Sequence, residues 1–169
     1  AYIGRISQEK NIQSLIDGVN KYNDLYDQKI TLYIIGSGSS DYSLENVNEN
    51  IILVGYLPFS QIVEYYQKVD YVISNSLTEG RPFSIIEAQI YGIPCIHSNI
   101  NGIDEIIFNN VNGFLYNIRD YATFNTNMNF DKIKEFCQQN LSNRIKEVLH
   151  KAYSISVSEW QAMSDKCLE

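Results

Sequence analysis

The stretch "YVISNSLTEGRPFSIIEAQIYGIPCIHS", residues 71–98, decides the fold that the sequence predicts. Short apolar runs at 71–75 and 94–98 predict strands, and the segment 84–92 between them predicts a helix. A proline stands just before this helix and a glycine at its end, which are typical helix boundaries. The stretch therefore predicts a strand–helix–strand unit whose strands run parallel with a right-handed crossover.

The same alternation of short apolar runs and helical spacing extends to both ends of the chain. Further strands are predicted at 1–4, 30–36, 51–56 and 113–116. Further helices are predicted from Ser7, as N-cap, through Tyr22, at 59–69, and, after an Asn-rich loop at 117–130, at 131–153 and 158–168. Because most strand runs are apolar throughout, we expect strands covered on both faces. The chain 1–169 is thus predicted to be one doubly wound, mostly parallel, Rossmann-like α/β domain with closing helices in 131–169.

Length, composition and charge narrow the class of protein. The 169 residues fit one domain, and 44% hydrophobic with 20% charged residues is typical of a soluble globular protein. The net charge of -7 argues against nucleic acid or an anionic membrane as a partner, because both leave a basic footprint. Three widely spaced cysteines without a CxxC motif predict a reducing compartment, and neither a disulfide framework nor a zinc site. We therefore expect a cytoplasmic protein and, since the first residues already form a strand-like run, a piece of a longer chain.

Two glutamates flank the start of the helix at 84–92. Glu79 lies in the loop after a predicted strand, and Glu87 lies in the first turn of the helix or just beyond it. After Pro82, the N–H groups of Phe83 and Ser84 are expected to point outward and to form an anion site. Carboxylates only accept hydrogen bonds, so the pair suits the hydroxyls of a sugar or a ribose. The alternative is that both glutamates are simply solvated and complement the helix dipole.

Two cations follow the first predicted strand. Arg5 comes directly after it, and Lys10 is expected in the first turn of the next helix, where a cation opposes the helix dipole. A diphosphate would compensate, with arginine as a planar fork and lysine as a point charge. The alternative is a solvated pair near Glu9. Because the loops after parallel strands gather at one edge of a sheet, we expect these cations and the two glutamates to converge on one cleft.

Other candidates for a functional site are weaker. The glycine loop "GSGSSD" at 36–41 lacks the third glycine of a dinucleotide site. His97 has no catalytic partner in the sequence and is interpreted as a satisfied structural histidine, and His150 as a surface residue. Cys95 is interpreted as a small buried hydrophobe. Three tyrosines are interpreted as core and rim aromatics: Tyr65, Tyr66 and Tyr71.

Five segments together resemble a known family. They are "GRISQEKN", "LYIIGSGSSD", "ENIILVGYLP", "DYVISNSLTEGRPFSIIEAQIYGIPCIHSNINGIDEII" and "NNVNGFLY". In order and spacing they resemble the donor-binding, carboxyl-terminal half of retaining glycosyltransferases of the GT-B fold, in glycosyltransferase family 4 or "group 1". The resemblance runs from about residue 2 to residue 116, and its most specific element is Glu79 followed, after seven residues, by Glu87.

The resemblance implies a nucleotide-diphosphate sugar as substrate, a UDP- or a GDP-sugar. It implies catalytic roles for Arg5 and Lys10, which hold the diphosphate, and for Glu79, which binds hydroxyls of the transferred sugar. Glu87 would take the two ribose hydroxyls. Further donor contacts are implied for Gly4, Gly55, Tyr56, Leu57, Gly80, Arg81, Phe83 and Ser84. The family needs no cofactor or metal, and its acceptor lies on an amino-terminal domain outside this chain, which would also carry any membrane contact.

The sequence departs from the family at two loops. Arg81-Pro82 replaces a Gly-rich loop after the first glutamate, and "NGIDE" at 101–105 replaces a Gly-Gly-x-Pro-Glu run. Both changes concern the choice of sugar more than the substrate class. Two alternatives stay open: a nucleotide-sugar epimerase of similar architecture, and a degenerate domain that binds but does not catalyse.

Overall fold

The computed structural model describes residues 1–38, 43–100, 102–118 and 130–169, with side chains from residue 140 onward in the last range. The described residues form six strands: β1 (Tyr2–Ile3), β2 (Leu32–Ile35), β3 (Ile51–Gly55), β4 (Val72–Ser74), β5 (Cys95–Asn99) and β6 (Gly113–Asn117). They also form five α-helices: α1 (Ile12–Leu25), α2 (Phe59–Tyr66), α3 (Phe83–Ile90), α4 (Phe130–Tyr153) and α5 (Val157–Cys167). Two 3-10 turns occur at Gln8–Lys10 and Ile103–Glu105.

The strands form one parallel layer. Strands β1, β2 and β3 pair in that order, as do β4, β5 and β6, and every pairing is parallel. The two groups meet where the Ile73 N–H donates to the Ala1 carbonyl at 2.8 Å, which sets β1 beside β4. The strand order therefore reverses between β1 and β4, and in an open parallel sheet ligands bind in the crevice at that switch point. The predicted doubly wound architecture is confirmed.

Helices cover both faces of this layer. On one face α1 packs against α4, with Leu15, Ile16 and Ile145 fully buried between them and the sheet. Gly18 permits this close approach, since a Cβ there would lie 2.5 Å from Cγ2 of Ile145. On the other face α2 and α3 pack on the sheet through residues such as Ile85. Burial on two faces explains why most of the strand runs lack an alternating polar pattern.

The first predicted helix boundary is wrong. Ser7 precedes the 3-10 turn instead of capping α1, and its side chain makes no capping hydrogen bond. The helix begins at Ile12, after Asn11 in the left-handed conformation with φ of 47°. Asparagine adopts this conformation more readily than most residues, so the chain turns once more before the helix starts.

The remaining boundaries differ from the predictions by a few residues. Helix α2 ends at Tyr66 instead of residue 69, and α3 begins at Phe83, one residue early. The predicted closing helices correspond to α4 and α5, and α5 begins with a capping box between Ser156 and Glu159. Most of the predicted loop 117–130 lies outside the described residues. Among the described helices, none combines the length and the hydrophobicity of a membrane-spanning segment.

Candidate functional site

A cavity of about 230 Å³ opens at the switch point between β1 and β4. It is lined by the residues after β1, the loop after β4 and the start of α3. Seven of the candidate residues take part in the lining: Gly4, Arg5, Lys10, Glu79, Arg81, Phe83 and Ser84. The cation pair and the first glutamate, which the sequence predicted to converge, do converge. The second glutamate and the turn after β3 are not in the lining of this cavity.

An ion pair in the cavity joins Lys10 and Glu79. The Lys10 ammonium donates to Oε1 of Glu79, and the two side chains are only 16% and 13% exposed. Such a sheltered ion pair is screened less by salt than a surface pair. Lys10 lies in the 3-10 turn before α1 and not in the helix itself, so the prediction that it opposes the helix dipole is wrong. Its partner is a carboxylate from another loop.

A cluster of three buried serines, Ser74, Ser76 and Ser98, supports Glu79 through one hydrogen bond. Ser76 Oγ donates to the same Oε1 at 2.6 Å, and lies 3.2 Å from Ser74 Oγ. Ser98 Oγ donates to the Ser76 carbonyl at 2.6 Å, and all three serines are buried. Both contacts of the glutamate are to Oε1, so Oε2 accepts no hydrogen bond from the residues that the structure describes. The carboxylate is therefore oriented while one oxygen stays available to a ligand.

His97 lies in β5 beneath this loop, where its register partner is Ser74. The ring is fully buried, and Nδ1 lies 2.7 Å from the Ser98 carbonyl. Nε2 has no hydrogen-bond partner within the described part of the chain. The prediction of a satisfied structural histidine is thus only half right. Burial lowers the pKa of His97, against the opposing effects of the hydrogen bond with the Ser98 carbonyl and of the nearby Glu79 carboxylate, so the ring is neutral at pH 7.

Arg5 is held loosely. Its side chain is 79% exposed and its guanidinium contacts Glu9 at 3.2 Å, which is the solvated pair that the sequence left as an alternative. An exposed pair of this kind is worth about 0–1 kcal/mol, so an anion in the cavity could take over the guanidinium at little cost. Tyr2, which sequence reasoning missed, donates from its hydroxyl to the Arg5 carbonyl at 2.5 Å and thereby fixes the backbone there.

The start of α3 differs from the prediction. The Phe83 N–H donates to the Arg81 carbonyl at 3.0 Å, around Pro82 with φ of -80° and ψ of 80°, which is an inverse γ-turn. This amide is therefore not free to bind an anion. The Ser84 amide belongs to the first turn, where N–H groups lack a partner within the helix. The reason for the difference is the proline, which fixes a tight turn where a Gly-rich loop would stay open.

Glu87 lies on α3 one turn after Ser84. Its Oε2 accepts from the Tyr66 hydroxyl at 3.2 Å. Tyr66 is only 1% exposed and its ring stacks on Tyr91, with centroids 5.1 Å apart. The prediction that Tyr66 is a core aromatic is confirmed, but its contact with the glutamate was missed, because 21 residues separate the two in sequence. Burial, and then the Glu87 charge, raise the pKa of Tyr66, so its hydroxyl remains a donor.

The other candidate positions lie at the same edge of the sheet. Gly55 ends β3 with φ of 83°, a conformation that favours glycine, and the Gly36 N–H donates to its carbonyl at 2.8 Å. Tyr56 follows with its side chain 76% exposed, and Leu57 packs toward the core on the α2 and α3 face. Gly80 lies in a neighbouring cavity of about 260 Å³ that also includes Glu79 and Arg81 in its lining.

The weaker candidates have structural surroundings. Cys95 is buried, and burial raises the pKa of its thiol. His150 is at the surface, stacked on Tyr26 with centroids 4.3 Å apart. Part of the glycine loop at 36–41 lies outside the described residues. Among the residues that are described, no group of three or more His, Cys, Asp or Glu side chains could hold a metal ion.

The sequence model of the family described as "Glycosyl transferases group 1" matches residues 1–148. The chain belongs to this family. The lipopolysaccharide 1,6-galactosyltransferase of Escherichia coli K12 is 32% identical over 139 residues, which are 76% of this chain and 38% of that protein. The UDP-Gal:alpha-D-GlcNAc-diphosphoundecaprenol alpha-1,3-galactosyltransferase of Escherichia coli is 30% identical over 156 residues, which are 85% and 39%. The chain thus spans about two fifths of the length of these relatives.

Solved structures share the fold of this group 1 glycosyltransferase chain. HepE of Anabaena, in complex with UDP and glucose, matches with a TM-score of 0.72 at 18% identity, over 99% of this chain and 41% of that one. The pneumococcal O-GlcNAc transferase GtfA, in complex with UDP and GlcNAc, matches with a TM-score of 0.70 at 22% identity, over 99% and 30%. The resemblance to one half of a GT-B fold is confirmed. The matches do not favour the epimerase or the non-catalytic module.

Proposed function

We propose that this chain is the donor-binding domain of a retaining glycosyltransferase, which transfers a sugar from a nucleotide-diphosphate sugar to an acceptor held outside this chain. One observation carries the proposal: a single cavity at the switch point brings the cations of Arg5 and Lys10 beside the carboxylate of Glu79. Cations bind a diphosphate and a carboxylate accepts from sugar hydroxyls, so the cavity suits both parts of such a donor. One relative is named for UDP-Gal, and two solved structures of similar fold are complexes with UDP. These similarities support a UDP-sugar as the donor of this chain.

In this proposal the chain's part in catalysis is electrostatic. Negative charge grows on the departing diphosphate, and preorganised cations stabilise that charge in the transition state. Lys10 has three N–H donors and gives one of them to Glu79, so it can donate to a phosphate oxygen without leaving the carboxylate. Arg5 adds a second cation from the exposed side of the cavity. The Ser84 amide, at the start of α3, adds a fixed partial positive charge.

The glutamates orient the donor. We propose that Oε2 of Glu79 accepts from hydroxyls of the transferred sugar, since Oε1 is already occupied. Glu87 accepts from the two ribose hydroxyls, and the exposed Tyr56 after Gly55 faces the base together with Leu57. Arg81 lines both cavities and contacts the sugar side of the donor, with Gly80 and Phe83 beside it. Gly4 leaves room for the diphosphate.

The cavity also supports a second domain. Its volume of about 230 Å³ is below the ~300–1,000 Å³ of typical small-molecule sites. Because a nucleotide sugar is a large ligand, this cavity alone is too small to enclose it. We propose that an amino-terminal domain of the same protein completes the cleft and holds the acceptor. We further propose that donor binding needs no metal, because Arg5 and Lys10 supply the positive charge. We also propose a cytoplasmic location, with any membrane contact made outside this chain.

Calorimetric titration of this chain with UDP and GDP tests the proposal. We expect saturable binding of UDP, weakened by Arg5→Ala and by Glu87→Ala. Lys68→Ala is the matched control, because Lys68 is an exposed lysine whose carboxylate contact is Glu64 at 3.9 Å. No binding at millimolar nucleotide by this chain or by a longer protein that contains it would contradict the proposal. Glycosyl transfer by the 169 residues alone would contradict the role assigned to the second domain.

A further inference from the structure

The hydroxyl of Tyr66 holds the carboxylate of Glu87. It donates to Oε2 at 3.2 Å and lies 3.5 Å from the Ser84 carbonyl, one turn earlier on α3. No cation lies within ion-pair distance of Glu87 among the described residues. A neutral phenol from the end of α2 is therefore what orients this glutamate.

Packing fixes the phenol. Tyr66 is the last residue of α2 and is 1% exposed, within the cluster that contains Ile85 and Ala88 of α3. Its ring lies against the ring of Tyr91 with the planes 14° apart. Close packing of this kind leaves the ring little freedom to turn, so the direction of the hydroxyl is set before any ligand binds.

We propose that Tyr66 is a positioning residue for ribose recognition; this inference rests on the proposed function, in which Glu87 accepts from the ribose hydroxyls. An ionised carboxylate has about four acceptor sites on its two oxygens. Tyr66 occupies one of them on Oε2, which fixes the plane of the carboxylate and leaves Oε1 and the remainder of Oε2 for two neighbouring hydroxyls. Without the phenol, Glu87 would have to be immobilised by the ligand itself, and that loss of side-chain freedom reduces affinity.

The variant Tyr66→Phe isolates the hydroxyl, because it keeps the ring and its stacking on Tyr91. We expect it to weaken UDP binding about 3- to 10-fold, the effect of immobilising one side chain. Binding of 2′,3′-dideoxy-UDP, which has no ribose hydroxyls to present to Glu87, should not change. The dideoxy nucleotide thus reports whether the site is still folded. Tyr65→Phe is the matched control, since that neighbouring ring packs against Tyr33 and not against Glu87.

The same titrations separate the possible failures. Equal weakening of UDP and dideoxy-UDP by Tyr66→Phe would mean that the hydroxyl supports the site as a whole and not the ribose contact, and would overturn the inference. Unchanged UDP affinity in Tyr66→Phe would also overturn it. If the unaltered chain binds UDP and dideoxy-UDP equally well, the ribose role of Glu87 fails and the inference fails with it. If UDP binds neither to this chain nor to a longer protein that contains it, the proposed function itself fails, which is a different outcome from a failure of the role of Tyr66.

Discussion

The two glutamates at the start of α3 are eight positions apart, yet the fold supports them in different ways. Glu79 is 13% exposed and is tied through Oε1 to a lysine ammonium and a buried serine hydroxyl. Glu87 is tied through Oε2 to a tyrosine hydroxyl at 3.2 Å. The first carboxylate thus forms an ion pair with Lys10, a cation of the proposed diphosphate site. The second is oriented by a neutral donor.

This difference separates the two ends of the proposed donor site. A change at Lys10 or Glu79 alters both the sugar side and the diphosphate side, because removing one partner of a sheltered ion pair leaves the other uncompensated. A change at Tyr66 should affect only the ribose side. The coupling of sugar to diphosphate and the independence of ribose are therefore the properties to test.

Lys10→Ala should have the largest effect. It removes a charge-assisted contact to the diphosphate and leaves the Glu79 carboxylate without its cation, so we expect UDP affinity to fall about 10- to 100-fold. Calorimetric titration with UDP measures the loss. If the two residues are coupled, the double variant Lys10→Ala/Glu79→Gln should lose less binding free energy for UDP than the sum of the losses in the two single variants. Additive losses would show that the ion pair does not link the two ends.

Ser76→Ala should have an intermediate effect. It removes the 2.6 Å hydrogen bond to Glu79, so Oε1 of that carboxylate loses its serine donor. We expect the free energy of unfolding to fall by about 1 kcal/mol, measured by urea denaturation. The gain in affinity of a UDP-sugar over UDP should also shrink, since Glu79 is oriented less well. The control is Ser158→Ala, which removes the contact of an exposed hydroxyl with Ser156 Oγ at 3.0 Å and no contact with Glu79. A loss of UDP affinity as large as the loss of UDP-sugar affinity would count against the division of the site.

His97 should give the smallest effect, seen in the pH dependence of stability. Burial lowers its pKa in the folded protein below the usual 6.5, with Glu79 and Lys10 as the charged groups nearby. As pH falls below 6.5 the unfolded chain takes up a proton that folded His97 does not, so the free energy of unfolding decreases. Urea denaturation at pH 7.5 and 5.5 measures this decrease in the free energy of unfolding, which should be smaller in His97→Gln than in the unaltered chain. The matched control is His150→Gln at the surface. An equally reduced pH dependence of the free energy of unfolding in both variants would exclude His97 as its cause.

Much of the site could be predicted from sequence because parallel strands place their following loops at one edge. Arg5, Lys10 and Glu79 each follow a strand, and they do meet in one cavity. The details were harder. Lys10 was expected to oppose a helix dipole and instead pairs with Glu79, which is 69 residues away. The Phe83 amide was expected to be free and instead closes a γ-turn, a local choice that the proline makes.

Two supporting residues left no usable signal in the sequence. Ser76 is one of several small polar residues after β4, and nothing local distinguishes the one that donates to Glu79. Tyr66 fits the apolar face of α2 as well as any aromatic would. Each becomes informative only when a carboxylate from another part of the chain lies beside its hydroxyl.

The sequence by itself determined the order of strands and helices, the parallel layer, the edge where the site lies and the resemblance to the group 1 glycosyltransferases. These follow from hydrophobic spacing and turn residues, which act over a few positions along the chain. The tertiary structure alone decided which oxygen of Glu79 is occupied, that a phenol orients Glu87, and that His97 is neutral in the interior. Hydrogen bonds and desolvation depend on atoms that packing brings together from distant positions, and no local pattern records those neighbours.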